Sequence, residues 1–113
     1  MDEQQWTFAW EGPVHEAFPA LHASQSAWLA SIDSLAAPDR RTHELIRLAC
    51  QVIARNAGGI ERHARLAAEV GASWEDVLGS IMLTTPAFGI LAAAQAMPVA
   101  RAGFEAGASD AES

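Results

Sequence analysis

His63 is the residue in this sequence whose position most needs a chemical explanation. It shares one face of a predicted helix with apolar residues spaced three, four and seven positions apart: Ile60, Ala64, Ala67 and Val70. An imidazole beside such methyl groups is either a buried, hydrogen-bonded part of the core or a group that takes up and releases protons. The spacing alone leaves both interpretations open.

Glu44 belongs to a narrow polar stripe on a second predicted helix, which is apolar over most of its circumference. Arg47, Gln51 and Arg55 continue the stripe. If the stripe faces water, Glu44 and Arg47 form a surface pair worth about 0.3 kcal/mol. If it lines a small polar pocket, Arg47 is suited to binding an anionic substrate. Both arrangements agree with the sequence.

The remaining cysteine and histidines give weaker signals. Cys50 has hydrophobic neighbours, which predicts an inert core thiol. His43 is expected on a different face from Glu44, His15 precedes the first predicted helix, and His22 is expected on a helix surface. Because these residues lack the Glu-x-x-His and His-x-x-x-His spacings of metal ligands, we expect no metal site.

Helical periodicity predicts five helices in one small all-α domain, or six if a proline splits the last. The predicted spans are about 18–35, 40–56, 60–70, 73–84 and 87–104. Asp39 is the expected cap of the second helix, and Gly71 is the expected end of the third. Ser73 and Asp76 resemble a capping box, whereas Pro98 should kink or split the last helix.

The chain ends are predicted to lie outside the helical domain of residues 18–105. Residues 1–17 form an N-terminal arm and residues 106–113 a disordered tail. The arm contains WTFAW at residues 6–10, where aromatic alternation is the one strand-like pattern. Together with Trp28 and Trp74, this segment could line an aromatic pocket, but we favour an arm that packs over its own or a neighbouring subunit.

Composition excludes several classes of partner and compartment. The 113 residues suit one domain, and 14 acidic residues against seven arginines give a net charge of −7, which disfavours nucleic acid and anionic membranes. No export signal or membrane span is evident, so we expect a cytoplasmic protein. A single cysteine excludes an internal disulfide. The second and last predicted helices are too apolar for one subunit to cover, which predicts a symmetric oligomer.

Residues 38–104 resemble the core of the carboxymuconolactone decarboxylase family, which includes the alkylhydroperoxidase D proteins. Glu44 falls on the glutamate of the family's E-L-I-x-L helix, and His63 falls on its histidine with the family's separation. Ala67 and residues 71–73 match the A-x-x-x-G-A-S/T turn. The two cysteine positions of the hydroperoxidase branch fall on Asn56 and Gly59. The resemblance is therefore to the decarboxylase branch, which lacks the cysteine pair.

This resemblance implies an alkylhydroperoxidase-D-like bundle that forms homotrimers or homohexamers and uses no cofactor. The implied activity is decarboxylation, isomerisation or elimination of a small carboxylated or carbonyl compound. His63 would be the proton donor or base, Glu44 would orient it or share its proton, and Arg47 would hold the anion. Two alternatives are a catalytically inactive binding or structural member of the same fold, and a thiol peroxidase that uses Cys50 alone.

Overall fold

A computed structural model describes residues 7–112, and within this range the protein is all-helical, as predicted. Six helices and one single helical turn follow in the order α1 Glu11–Ala17, α2 Pro19–Asp33, α3 Arg40–Ala54, α4 Ala57–Glu69, α5 Trp74–Met82, α6 Thr85–Phe88 and α7 Ile90–Glu112. The chain separates into two compact units, residues 1–36 and 37–113. No helix in the described range is both long and apolar enough to cross a membrane.

The first unit contains α1 and α2, and it corrects the prediction of a strand at residues 6–10. Residues 7–10 form a bend and turn that leads into α1, and Trp6 lies outside the described residues. The turn is held by the Phe8 backbone N–H, which donates to the Glu11 carboxylate at 3.0 Å. The rings of Phe8 and Trp10 stack with centroids 6.2 Å apart. Part of the predicted arm is therefore helical, since α1 occupies residues 11–17.

The second unit is built around α4, which packs along α7 and also contacts α3 and α5. Its core consists mainly of alanines with a few branched side chains: Leu48, Val52, Ile60, Ala64, Ala67, Ala72, Val77, Ile81, Ala92, Ala93, Ala96 and Ala100. Such small side chains let helix backbones approach closely. The largest fully buried side chains are Leu48, Ile81, Val52 and Val77, so this unit buries few large residues.

Two glycines set the distance between α4 and α7. A methyl group added at Gly103 would overlap the Glu61 carbonyl, and one added at Gly107 would overlap the Arg65 carbonyl. Backbone atoms cannot turn aside as a flexible side chain can. Glycine at both positions therefore allows the α4–α7 contact.

The helix-end chemistry in the second unit agrees with the predictions. Asp39 caps α3 by accepting from the Thr42 N–H at 2.9 Å. Ser73 and Asp76 form the predicted capping box at the start of α5. Gly71 has φ of 96°, and the N–H groups of Gly71 and Ala72 return to carbonyls of the last turn of α4. These are the bonds of a Schellman motif, which ends the helix.

α7 differs from the sequence prediction at both ends and in its middle. It begins after Gly89, whose φ is 87°, and it continues through Pro98 without splitting. Pro98 and Ala94 are both exposed, so the carbonyl that loses its hydrogen bond can be hydrated. The segment predicted as a disordered tail instead extends α7 to Glu112. Its alanines favour helix, and Gly107 packs against α4.

Candidate acid–base site

α3 and α4 bring Glu44 and His63 into direct contact inside the second unit. His63 Nδ1 lies 2.8 Å from Glu44 Oε1. Glu44 is 5% exposed and His63 is 6% exposed, so water screens the interaction little. The chain reverses between α3 and α4 at Arg55 and Asn56, which turns the inner faces of the two helices toward each other. The predicted pairing of these side chains is therefore present in the structure.

Hydrogen bonding fixes the form of the neutral His63 ring. A carboxylate only accepts, so Nδ1–H donates to Glu44 and Nε2 carries the lone pair. Within residues 7–112, His63 Nε2 has no hydrogen-bond partner, yet no fully buried side-chain nitrogen or oxygen is left unpaired. Nε2 must therefore retain some contact with solvent. The ring is anchored at Nδ1, and its Nε2 has no protein partner in the described range.

Burial lowers the pKa of His63 below its ordinary value of 6.5 because the protonated ring loses hydration. The hydrogen bond and negative charge of Glu44 act in the opposite direction, whereas the charges of Arg47 and Arg62 lower the pKa further. The net effect is a ring that is neutral at pH 7. Such a ring can accept a proton at Nε2, and Glu44 would then stabilise the cation that forms.

The guanidinium that contacts Glu44 belongs to Arg40, which the sequence analysis did not identify. Arg40 Nη1 lies 3.4 Å from Glu44 Oε2, one helical turn earlier on α3. Arg47 instead approaches His43, with its Nη1 3.4 Å from His43 Nε2. Arg47 therefore acts on His63 through its charge. The i, i+4 spacing of Arg40 and Glu44 was the signal that could have revealed this pair.

Asn56 and Gly59, which the expected resemblance aligns with two cysteines, have structural contacts here. The Asn56 side chain caps α4 by accepting from the Gly59 N–H at 3.2 Å. At Gly59, an added methyl group would overlap the Gln51 carboxamide, so this side chain occupies the space next to the glycine. Both contacts are made by side-chain amides, those of Asn56 and Gln51, and both lie at the turn that joins α3 to α4.

Cys50 is exposed, and the prediction of a buried core thiol is wrong. It lies on the outer face of α3 between Ile46 and Ile53, which are 52% and 39% exposed. The prediction failed because an apolar helix can also face outward.

His22 corrects a second prediction, because it is 3% exposed rather than on the surface. Its Nε2 lies 3.0 Å from Glu11 Oε1 in the first unit. The His15 ring meets the His22 ring edge-on, with centroids 5.4 Å apart. Glu11 lies eleven positions earlier in the chain, so helical spacing within α2 could not reveal it.

The predicted aromatic residues separate into two places. Trp10 and Trp28 line an apolar cleft of about 560 Å³ within the first unit. Trp74 belongs to the second unit, where its ring meets Phe104 at 5.5 Å and the Arg101 guanidinium at 4.6 Å. Trp74 thus contributes to packing within its own unit.

Comparisons of the chain with protein-family models, curated proteins and solved structures give no match.

Proposed function

We propose that this protein is a non-redox enzyme of the carboxymuconolactone decarboxylase type, with an alkylhydroperoxidase-D-like fold. His63 is the general base, and Glu44 orients it. The observation that carries the proposal is the buried 2.8 Å contact between His63 Nδ1 and Glu44 Oε1, together with a second ring nitrogen that has no partner in residues 7–112. A buried histidine whose second nitrogen has no protein partner can take up a proton there, which is what a general base requires.

The direction of the His63 pKa shift favours reactions in which the enzyme first removes a proton. Nε2 takes a proton from a carbon next to a carbonyl or carboxyl group, and the electron pair passes to the carbonyl oxygen as an enolate. In an isomerisation, the His63 cation returns the proton to another carbon. In a decarboxylation, the carbon–carbon bond to the carboxylate breaks first, and the resulting carbanion then takes a proton. In an elimination, the enolate forms a new double bond as a group on the neighbouring carbon leaves with its electron pair. Isomerisation and elimination therefore agree best with a neutral ring.

Arg47 is the proposed electrostatic partner of an anionic substrate. Its side chain is partly buried, and its charge acts on His63. A cation whose charge reaches the ring would also stabilise the enolate oxygen of a substrate bound beside it. Its contact with His43 restrains the guanidinium before a substrate arrives.

A homotrimer or homohexamer is part of the same proposal. In the second unit, α3 exposes Ile46 and Ile53, α7 exposes Ile90 and Leu91, and Leu83 is 80% exposed. A monomer that left these side chains in water would be prone to association. Such exposed side chains, in a unit otherwise held by a small alanine core, support burial between copies of the chain.

A proton-exchange assay tests the proposed chemistry. The protein is incubated in deuterium oxide with 4-carboxymuconolactone and a panel of small keto acids and lactones, and each carbon-bound proton is followed by NMR. We expect His63→Asn to slow exchange or product formation by about 10²- to 10⁴-fold. His15→Asn is the matched control, since His15 lies in the first unit and should leave the rate unchanged.

Three results would contradict the proposal. The first is a His63→Asn protein that retains the wild-type rate per folded molecule. The second is a panel in which no compound reacts faster with the protein than in buffer. The second result would favour the binding or structural member of the fold. Peroxide consumption with a dithiol reductant, abolished by Cys50→Ser, would instead show that the exposed thiol is the reactive group.

A further inference from the structure

A cleft of about 170 Å³ lies in the second unit, where α3 ends and α4 begins, and α7 forms its other wall. Its apolar lining comes from Val52, Ala57, Ile60, Ala92, Ala96 and Val99. A cavity of about 150 Å³ with such a lining accommodates benzene. Neither His63 nor Glu44 lines this cleft, so it is separate from the acid–base pair.

Arg55 contributes a cation to the wall of this apolar cleft. Within residues 7–112, its guanidinium forms no hydrogen bond, ion pair or ring contact. Arg41 also lacks such a contact, but its charge acts on the carboxylates of Asp39 and Asp76. The chain carries twice as many acidic residues as arginines, so a shortage of carboxylates does not explain why Arg55 has no ion-pair partner. Gln95 adds an amide without a hydrogen-bond partner in the same range.

The backbone of Arg55 gives an independent reason to expect a role for its side chain. With φ of 57°, it is the one residue other than glycine with positive φ in the described range. It occupies the position after α3 where glycine is usual, and a side chain there costs about 1 kcal/mol. Glycine would form the same turn without strain. A strained, unpaired arginine at the wall of a cleft points to a ligand.

We propose that this cleft binds a small monocarboxylate whose apolar body is about the size of a benzene ring. The ring occupies the space between Ile60, Ala96 and Val99, and the carboxylate accepts two hydrogen bonds from the Arg55 guanidinium. The planar fork of an arginine matches the two oxygens of a carboxylate. Gln95 can donate a further hydrogen bond. This site goes beyond the proposed catalytic function and does not depend on it.

Sodium benzoate is the probe, and methyl NMR of the full chain reports the binding. We expect benzoate to shift the methyl signals of Ile60, Ala96 and Val99 in a saturable manner. Arg55→Gln keeps the backbone geometry and removes the charge, so benzoate should bind about ten-fold more weakly. Benzyl alcohol, of similar size but uncharged, should bind equally to both proteins.

Control variants separate the cleft from general charge and from the acid–base pair. Arg41→Gln removes an exposed arginine at the other end of α3 and should leave benzoate affinity unchanged. His63→Asn should also leave it unchanged, whereas Ala57→Leu, at the exposed rim, should weaken both probes.

Arg55→Gly gives the sharpest distinction, because stability and binding should change in opposite directions. It relieves the positive-φ strain, so its melting temperature should rise, while benzoate binding should fall as in Arg55→Gln. The proposal is overturned if Arg55→Gln binds benzoate as tightly as the wild type. It is equally overturned if benzoate at millimolar concentration leaves the cleft methyl signals in place.

Discussion

Replacing Glu44 by glutamine tests the energetics of the buried pair. The amide oxygen of the new side chain can still accept from His63 Nδ1–H, but the charge is lost, and with it the attraction to Arg40. Hydrogen bonds to charged groups contribute about 1.5–3 kcal/mol and neutral ones about 0.5–1.5 kcal/mol. We therefore expect Glu44→Gln to lower the free energy of unfolding by about 1 kcal/mol.

The same substitution should also change the titration of His63. Glu44 raises the pKa of the ring, whereas burial and two arginine charges lower it. Without the carboxylate those effects remain, so the pKa of His63 should fall further. A ring that is harder to protonate would be a weaker base, which connects the stability measurement to the proposed mechanism.

Glu69→Gln is the matched control, because Glu69 forms an i, i+4 pair with Arg65 at 3.5 Å in which both side chains are about one third exposed. Its loss should change stability by less than about 0.5 kcal/mol. Urea unfolding measures both free energies, and NMR titration follows the His63 ring. Equal losses for the two variants, or a His63 pKa that rises in Glu44→Gln, would refute the reasoning.

Three further predictions concern packing, assembly and pH. Gly103→Ala should lower the free energy of unfolding by about 3 kcal/mol, because the methyl group meets a backbone carbonyl of α4. Gly79→Ala should instead raise it by about 0.5–1 kcal/mol, because no atom lies within 4 Å of the added methyl group and alanine favours helix. Denaturant unfolding measures both. Light scattering should show a trimer or hexamer that Leu83→Glu dissociates, and a monomeric wild type would contradict this. Acidification below pH 6.5 should lower the free energy of unfolding progressively until the pH reaches the folded pKa of His63, because the ring of the unfolded chain takes up its proton first. His63→Asn should flatten this pH dependence.

Local helix chemistry was predictable because each signal lies within a few residues. Asp39, the Ser73–Asp76 box and Gly71 specify their helix ends through bonds to backbone groups nearby. The Glu44–His63 pairing was expected from a family resemblance in residue spacing, and the structure contains the contact. The catalytic role of the pair stays a prediction.

Features that depend on distant residues or on the direction of a helix face were missed. His22 is buried by a partner in α1, a helix that the sequence analysis did not predict. Cys50 lies on an apolar helix, and only the packing of the neighbouring helices determines that its face is exposed. Gly103 and Gly107 lie where the last helix was expected to end, but their lack of side chains is what lets α7 continue against α4.

The form of the His63 ring is the most direct test of the central claim that it is held ready as a base. Nitrogen-15 NMR of the imidazole at pH 7 distinguishes the two neutral forms from the cation. The structure predicts a neutral ring, protonated at Nδ1 and bare at Nε2, with a pKa below 6.5. A ring protonated at Nε2 with a bare Nδ1, or a cationic ring at pH 7, would contradict it.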